Sequence, residues 1–292
     1  MVSPLQIFFM ERRILGKTQE ELSIIGLDLE KLLVSEYNYE IKRFLEKFIL
    51  GGVNFFEISP TLEPKDEATI FPINLHRDKL FIAGKSFSKS SGEIQLDIKE
   101  LLAKFNLQYL DLIQIVANTQ EDIHRILGPE GALEGFFAAK NLGLVKYIGF
   151  STNKESIALQ LLESYDFDSI TFPIDWMNWY TGYGRKVISK AKEKGTGVIS
   201  KQNLIKKITK INAEKGISDL LYIPSESYEE VKTTIRFSLT KPITSILCSS
   251  HINLLEWLIK AADEFTPLDI QEEENLRKSC EDLGKVFNPK NI

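Results

Sequence analysis

Eight short β-prone runs alternate with helical stretches along this chain, and that alternation constrains its fold more than any other feature. The runs are Ile24–Leu27, Val53–Ile58, Leu80–Ala83, Tyr109–Val116, Val145–Ser151, Ser169–Pro173, Gly197–Ser200 and Ile243–Cys248. Each is short and mostly β-branched or aromatic, as a buried strand requires. Between them, Ile41–Leu50 places Ile41, Phe44, Leu45, Phe48 and Ile49 on one helical face, and Gly51-Gly52 then stops the helix. Ile94–Phe105, Ala132–Ala139 and Leu254–Ala262 carry the same period. Strands separated by helices pair in parallel, because the crossover returns the chain to the same end of the sheet. Over 292 residues, eight such units close best as a (β/α)₈ TIM barrel forming one domain, residues 1–292. The competing open sheet usually carries a GxGxxG turn after its first strand, and none occurs.

Composition narrows the function classes. A net charge of −5 gives no electrostatic reason to expect nucleic acid or an anionic membrane as partner. No apolar run approaches the roughly 18 residues of a membrane span. The opening MVSPLQIFFM lacks the basic region of a signal peptide. Two cysteines, Cys248 and Cys280, form no framework and suit a reducing cytoplasm. His76, His124 and His251 show no metal-ligand spacing, so no metal is expected. The lysine-rich stretch Lys201–Lys215 reads as a long loop or a solvated helix face.

Several segments arrive in a familiar order. Arg12-Arg13-Ile14-Leu15-Gly16-Lys17-Thr18 and Glu21–Leu27 resemble the opening β-hairpin and first strand of the aldo-keto reductases. Gly51–Glu57 resembles their second strand, Leu110–Ile115 their fourth and Gly143–Ser151 their fifth. Phe167-Asp168 with Phe172-Pro173 resembles the sixth, Gly197–Ser200 the seventh, and Glu264–Leu268 the segment after the last barrel helix. The resemblance spans about residues 10 to 268. It implies a barrel with a short N-terminal β-hairpin across its bottom. Met10 sits where many members begin, which makes residues 1–9 an extension or an alternative start.

The resemblance also implies hydride transfer from a nicotinamide to a carbonyl. A tyrosine protonates the alkoxide, a lysine and an aspartate tune it, and a histidine orients the carbonyl. A phenol near pKa 10 needs a close ammonium to work near neutrality. In this chain the aspartate position is Glu57 and the lysine is Lys85. The tyrosine position is Leu62 and the histidine position is Val116, and neither side chain can donate a proton. The positions that would meet NADP(H) are eroded as well. Ser151 matches the serine for the carboxamide, but Thr152 stands in place of asparagine and Thr171 in place of glutamine. Lys201 replaces the aromatic that stacks on the nicotinamide, while Ser249 and Ser250 keep hydroxyls in the phosphate loop. Trp257 falls near the place of the later arginine.

Glu57 and Lys85 read as a remnant catalytic pair or as a buried ion pair filling the barrel mouth. Asp175, Trp176 and Trp179 read as substrate-pocket residues or as lid packing. Cys248 reads as a buried bystander. The expectation is a barrel that has lost ordinary NADPH-dependent carbonyl reduction and binds a small molecule or a protein partner. One alternative is an NADP-dependent oxidoreductase with a rebuilt proton donor, either His76 or a water held by Glu57 and Lys85. Another is a lyase or isomerase using Lys85.

Overall fold

The structure, a computed structural model, describes residues 10–32, 38–61, 67–201, 205–210, 220–248 and 252–284. Leu62, Ser249, Ser250, His251 and the proposed extension 1–9 lie outside the described residues.

Two short strands, β1 (Arg12–Ile14) and β2 (Glu21–Ser23), form an antiparallel hairpin. The barrel strands are β3 (Ile25–Asp28), β4 (Phe55–Ile58), β5 (Phe81–Ser86), β6 (Leu110–Val116), β7 (Val145–Ser151), β8 (Ser169–Pro173), β9 (Gly197–Lys201) and β12 (Ser245–Cys248). All eight pair in parallel, and β12 closes the ring between β9 and β3. Each matches one of the eight β-prone runs.

The helices that return the chain include α2 (Asn38–Leu50), α3 (Glu67–Leu75), α4 (Ser91–Lys104), α6 (Ala132–Asn141), α7 (Glu155–Ser164), α9 (Arg185–Lys194), α10 (Tyr228–Thr240) and α11 (Ile252–Asp263). Their starts are written in local chemistry. Ser90 caps α4 by accepting from the Glu93 amide, and Ser227 caps α10 through Glu230. Gly195, in the left-handed region, ends α9. Their apolar faces and the outward side chains of the strands make the main core. Among the described residues, no helix is long and apolar enough to cross a membrane.

The barrel interior is a second, smaller core. Phe55, Phe81, Ala83, Leu112, Ile199 and Leu247 fill it, and Tyr147 packs against it. Leu15 and Leu22 of the hairpin close it at the N-terminal end of the strands. The turn between β1 and β2 therefore presses on backbone. Gly16 has φ +52, and a Cβ there would stand 2.4 Å from the Gly195 carbonyl oxygen and the Gly197 nitrogen. Only glycine meets both conditions. Gly26 likewise leaves room inside the barrel, where a Cβ would strike the Phe55 ring at 2.2 Å.

The lysine-rich stretch after β9 departs from expectation. Within its described residues, β10 (Ile205–Lys210) pairs antiparallel with β11 (Leu220–Pro224). Ile205 and Ile208 stand three residues apart, a spacing that suits a helix better than a strand, and pairing with the apolar Leu220–Pro224 overrides it.

Candidate functional site

Strand geometry sends every second side chain inward. On β6, Leu112 belongs to the interior core, so Gln114 and Val116 follow on the same face toward the C-terminal mouth. The same alternation carries Phe55 to Glu57, Ala83 to Lys85 and Ile199 to Lys201. Above the apolar layers the mouth turns polar.

Lys85 is the hub of that polar layer. Its Nζ lies 2.7 Å from Glu57 Oε1, 3.4 Å from Asp28 Oδ2 and 3.8 Å from Glu30 Oε2. The second oxygen of Glu57 accepts from Gln114 Nε2 at 3.0 Å, and Gln114 Oε1 accepts from Thr171 Oγ1 at 2.6 Å. One chain of contacts thus runs Asp28–Lys85–Glu57–Gln114–Thr171 across five strands. Glu30 is tied from the other side, accepting from Thr61 Oγ1 at 2.6 Å.

The electrostatics follow from an excess of carboxylate over ammonium. Burial pushes the Glu57 carboxyl above its ordinary range, and Asp28 adds to this against the pull of Lys85. Burial pulls the Lys85 ammonium down, but Glu57, Asp28 and Glu30 outweigh it and hold the proton on. Lys85 is therefore a fixed cation and not a proton donor near neutral pH.

Lys201 is placed differently. Its Nζ donates to Ser151 Oγ at 2.9 Å, and among the described residues no carboxylate stands within ion-pair distance of it. Burial lowers its pKa to about 8, with Lys85 pushing the same way and Glu57 opposing. The charge at this end of the barrel is thus divided between one clamped lysine and one loosely held lysine.

The structure brings Glu57, Lys85, Val116, Ser151, Thr171 and Lys201 to one end of the barrel. Val116 is half-buried at the end of β6 and pairs with Ser151. Thr171 is spent on Gln114, and Ser151 on Lys201. Thr152 takes part in a turn, with its hydroxyl accepting from the Lys154 amide at 3.1 Å and lying 3.4 Å from Asn118 Oδ1.

Other candidates fall elsewhere. Asp175 caps a short helix, α8 (Trp176–Tyr180), accepting from the Asn178 amide at 3.0 Å and from Asn178 Nδ2 at 2.6 Å. Trp176 is buried with Met177, Phe237, Leu268 and Cys280 beneath the last helix, α12 (Ile270–Gly284). Trp179 stands edge-on to Phe237, with Arg185 and Lys241 over its ring. The partners of Trp176 and Trp179 come from α12 and Phe237. Trp257 packs half-buried against the main core.

His76 is corrected by topology. It precedes the turn Arg77–Lys79 that feeds the N-terminal end of β5, whereas Lys85 lies near that strand's other end. Four residues of strand, about 13 Å, separate Phe81 from Lys85. His76 therefore cannot supply a proton at the mouth. Cys248 is buried and its thiol is pushed up by desolvation, which makes it an inert core residue.

Three residues of the cluster escaped the sequence reading. Gln114 carried a signal, being the only polar residue on the inward face of the run Leu110–Val116. Asp28 and Glu30 carried none, because they reach the site only when β3 closes beside β4.

No family model and no curated protein matches the chain. Solved structures do. An aldo-keto reductase from Bacillus halodurans, in its holo form, is 17% identical over 92% of this chain and 96% of its own, with a TM-score of 0.73. A putative aldo-keto reductase from Pseudomonas aeruginosa is 17% identical over 90% and 99%, with a TM-score of 0.70. A thermostable aldo-keto reductase bound to the inhibitor epalrestat is 16% identical over 92% and 99%, with a TM-score of 0.69. At such identities the likeness is one of fold.

Proposed function

We propose that this aldo-keto-reductase-like barrel binds a small, neutral, polar carbonyl compound at its mouth and does not reduce it with NADPH. The observation that carries the reading is the Lys201–Ser151 hydrogen bond at 2.9 Å. It occupies the serine that the resemblance assigns to the carboxamide. It also sets an ammonium where an aromatic face would stack, and that charge opposes an oxidised nicotinamide. The residues present therefore do not fit a nicotinamide.

The reacting groups point the same way. Val116 offers no hydrogen bond to a carbonyl oxygen, and Lys85 is held by carboxylates instead of being free to acidify a phenol. Leu62 has no proton to give. What remains is the carboxylates of Asp28 and Glu30 with an amine on one wall, above Gln114 and Thr171, which are bonded to each other. Among the described residues, the carboxylates of Asp28, Glu30 and Glu57 against Lys85 and Lys201 disfavour an anionic ligand and favour hydroxyl groups, which donate to carboxylates.

Two measurements test the reading. Titration with NADPH, watched by cofactor fluorescence, is expected to give no saturable binding. Absorbance of NADPH with a panel of aldehydes is expected to stay at background, since loss of a positioned acid alone removes about 10²–10⁴-fold. Saturable binding with turnover at rates ordinary for a reductase would overturn it.

A further inference from the structure

We propose that Lys201 is a nucleophilic amine that forms an imine with the carbonyl carbon of a small hydroxylated aldehyde or ketone bound at the barrel mouth. The inference rests on the proposed function above, in that the mouth receives a carbonyl compound and not a nicotinamide.

A lysine serves as a nucleophile when its amine is neutral, held in place and open to the ligand. Among the described residues two lysines, Lys85 and Lys201, stand on the inward faces of the barrel strands at the mouth, and the geometry separates them. Lys85 meets three carboxylates within 4 Å and cannot release its proton without stranding them. Lys201 meets one neutral hydroxyl. It ends β9 on the inward face, one turn of the pleat above Ile199, and is half-buried. Its amine is held on Ser151 Oγ at the C-terminal end of β9. The neighbouring ammonium of Lys85 and the low-dielectric wall both favour the neutral amine, the two devices by which proteins activate lysines. Its pKa of about 8 leaves an appreciable neutral fraction near neutral pH.

The chemistry balances without a further reagent. The neutral amine adds to the carbonyl carbon, forming a C–N bond and turning the carbonyl into a carbinol. That oxygen then leaves as water with the two amine hydrogens, and a C=N bond remains. Nothing is oxidised or reduced. Ser151, which holds Nζ, is a positioning residue. Hydroxyl groups next to the carbonyl suit the acceptors around Asp28 and Glu30.

The test uses the full chain with glyceraldehyde and, separately, dihydroxyacetone, each trapped with sodium cyanoborohydride and mapped by peptide mass. The expected result is a reduced adduct on Lys201 forming roughly tenfold faster than on any exposed lysine. Its rate should rise through a midpoint near pH 8, following the pKa of about 8. Lys201→Arg should keep the fold by circular dichroism and lose that fast adduct. Label spread over exposed lysines with Lys201 no faster overturns the inference. NADPH added before the aldehyde separates the two proposals. If Lys201 reacts but NADPH binds and protects it, the amine stands and the proposed function falls. If NADPH does not bind and Lys201 stays unlabelled, the proposed function stands and the amine falls.

Discussion

Replacing Lys85 by methionine should cost stability in a strongly pH-dependent way. Lys85 lies 2.7 Å from Glu57, whose side chain is 1% exposed. At an effective dielectric near 20, that contact carries an attraction of about 6 kcal/mol before desolvation is subtracted. Methionine keeps the packing and removes the charge. Glu57 then faces Asp28 and a buried setting with Gln114 as its remaining bonded partner. It escapes by taking a proton, and this limits the loss. With an ordinary value of 4.5, holding Glu57 protonated at pH 7 costs about 3.4 kcal/mol relative to the unfolded chain, at 1.36 kcal/mol per unit. At pH 5 the same limit is about 0.7 kcal/mol. The sign follows from proton uptake. In Lys85→Met the folded carboxyl keeps its proton to higher pH than the unfolded one. The folded state binds more protons across that window, so stability falls as pH rises through it. Urea unfolding of wild type, Lys85→Met, Glu57→Gln and the double variant at pH 5 and 7 reads this directly. The expected loss in Lys85→Met is about 3 kcal/mol at pH 7 and about 1 kcal/mol at pH 5. The double variant should recover more than half of the loss at pH 7. An equal loss at both pH values, or no recovery in the double variant, would refute the burial argument.

Three further outcomes follow from the packing. Trp176→Ala removes the large ring between α8 and α12 and should cost about 3–5 kcal/mol, with faster amide exchange over Ile270–Gly284 than over the barrel strands. Gly16→Ala should destabilise by more than about 1 kcal/mol in the same urea assay, because φ +52 and the Gly195 and Gly197 backbone both oppose a Cβ. His76→Ala should leave stability within about 0.5 kcal/mol and leave any aldehyde adduct on Lys201 unchanged. Loss of that adduct would show that the N-terminal end of β5 does reach the mouth.

The barrel itself was legible because its signals are local. Eight apolar runs of strand length, with helical periods between them and stops such as Gly51-Gly52 and Gly143, specify parallel pairing whatever the remaining side chains are. That Leu62 and Val116, at the positions the resemblance assigns to the acid and the orienting group, cannot donate a proton is a matter of residue identity and holds in any fold. The survival of Glu57 and Lys85 could be read, and so could their meeting as an ion pair. Their partners could not. Asp28 and Glu30 come from the first strand and its exit, far from Lys85 in sequence, and reach it because closure sets β3 beside β4 and β4 beside β5. The roles of the two lysines were likewise undecided in the sequence, where Lys85 looked like the reactive one. Protonation depends on charges a few ångströms away and on burial, and neither is a property of chain order. Three carboxylates clamp Lys85, while a lone hydroxyl holds Lys201 against the barrel wall. The packing of Trp176 and Trp179 is tertiary too, because α12 and Phe237 supply partners that a sequence window around α8 does not contain. The sequence by itself determined the eight barrel strands, while the β10–β11 pair needed a partner strand that lies outside the local window. Closure of the barrel decided which charges meet, and through that which amine is free to react.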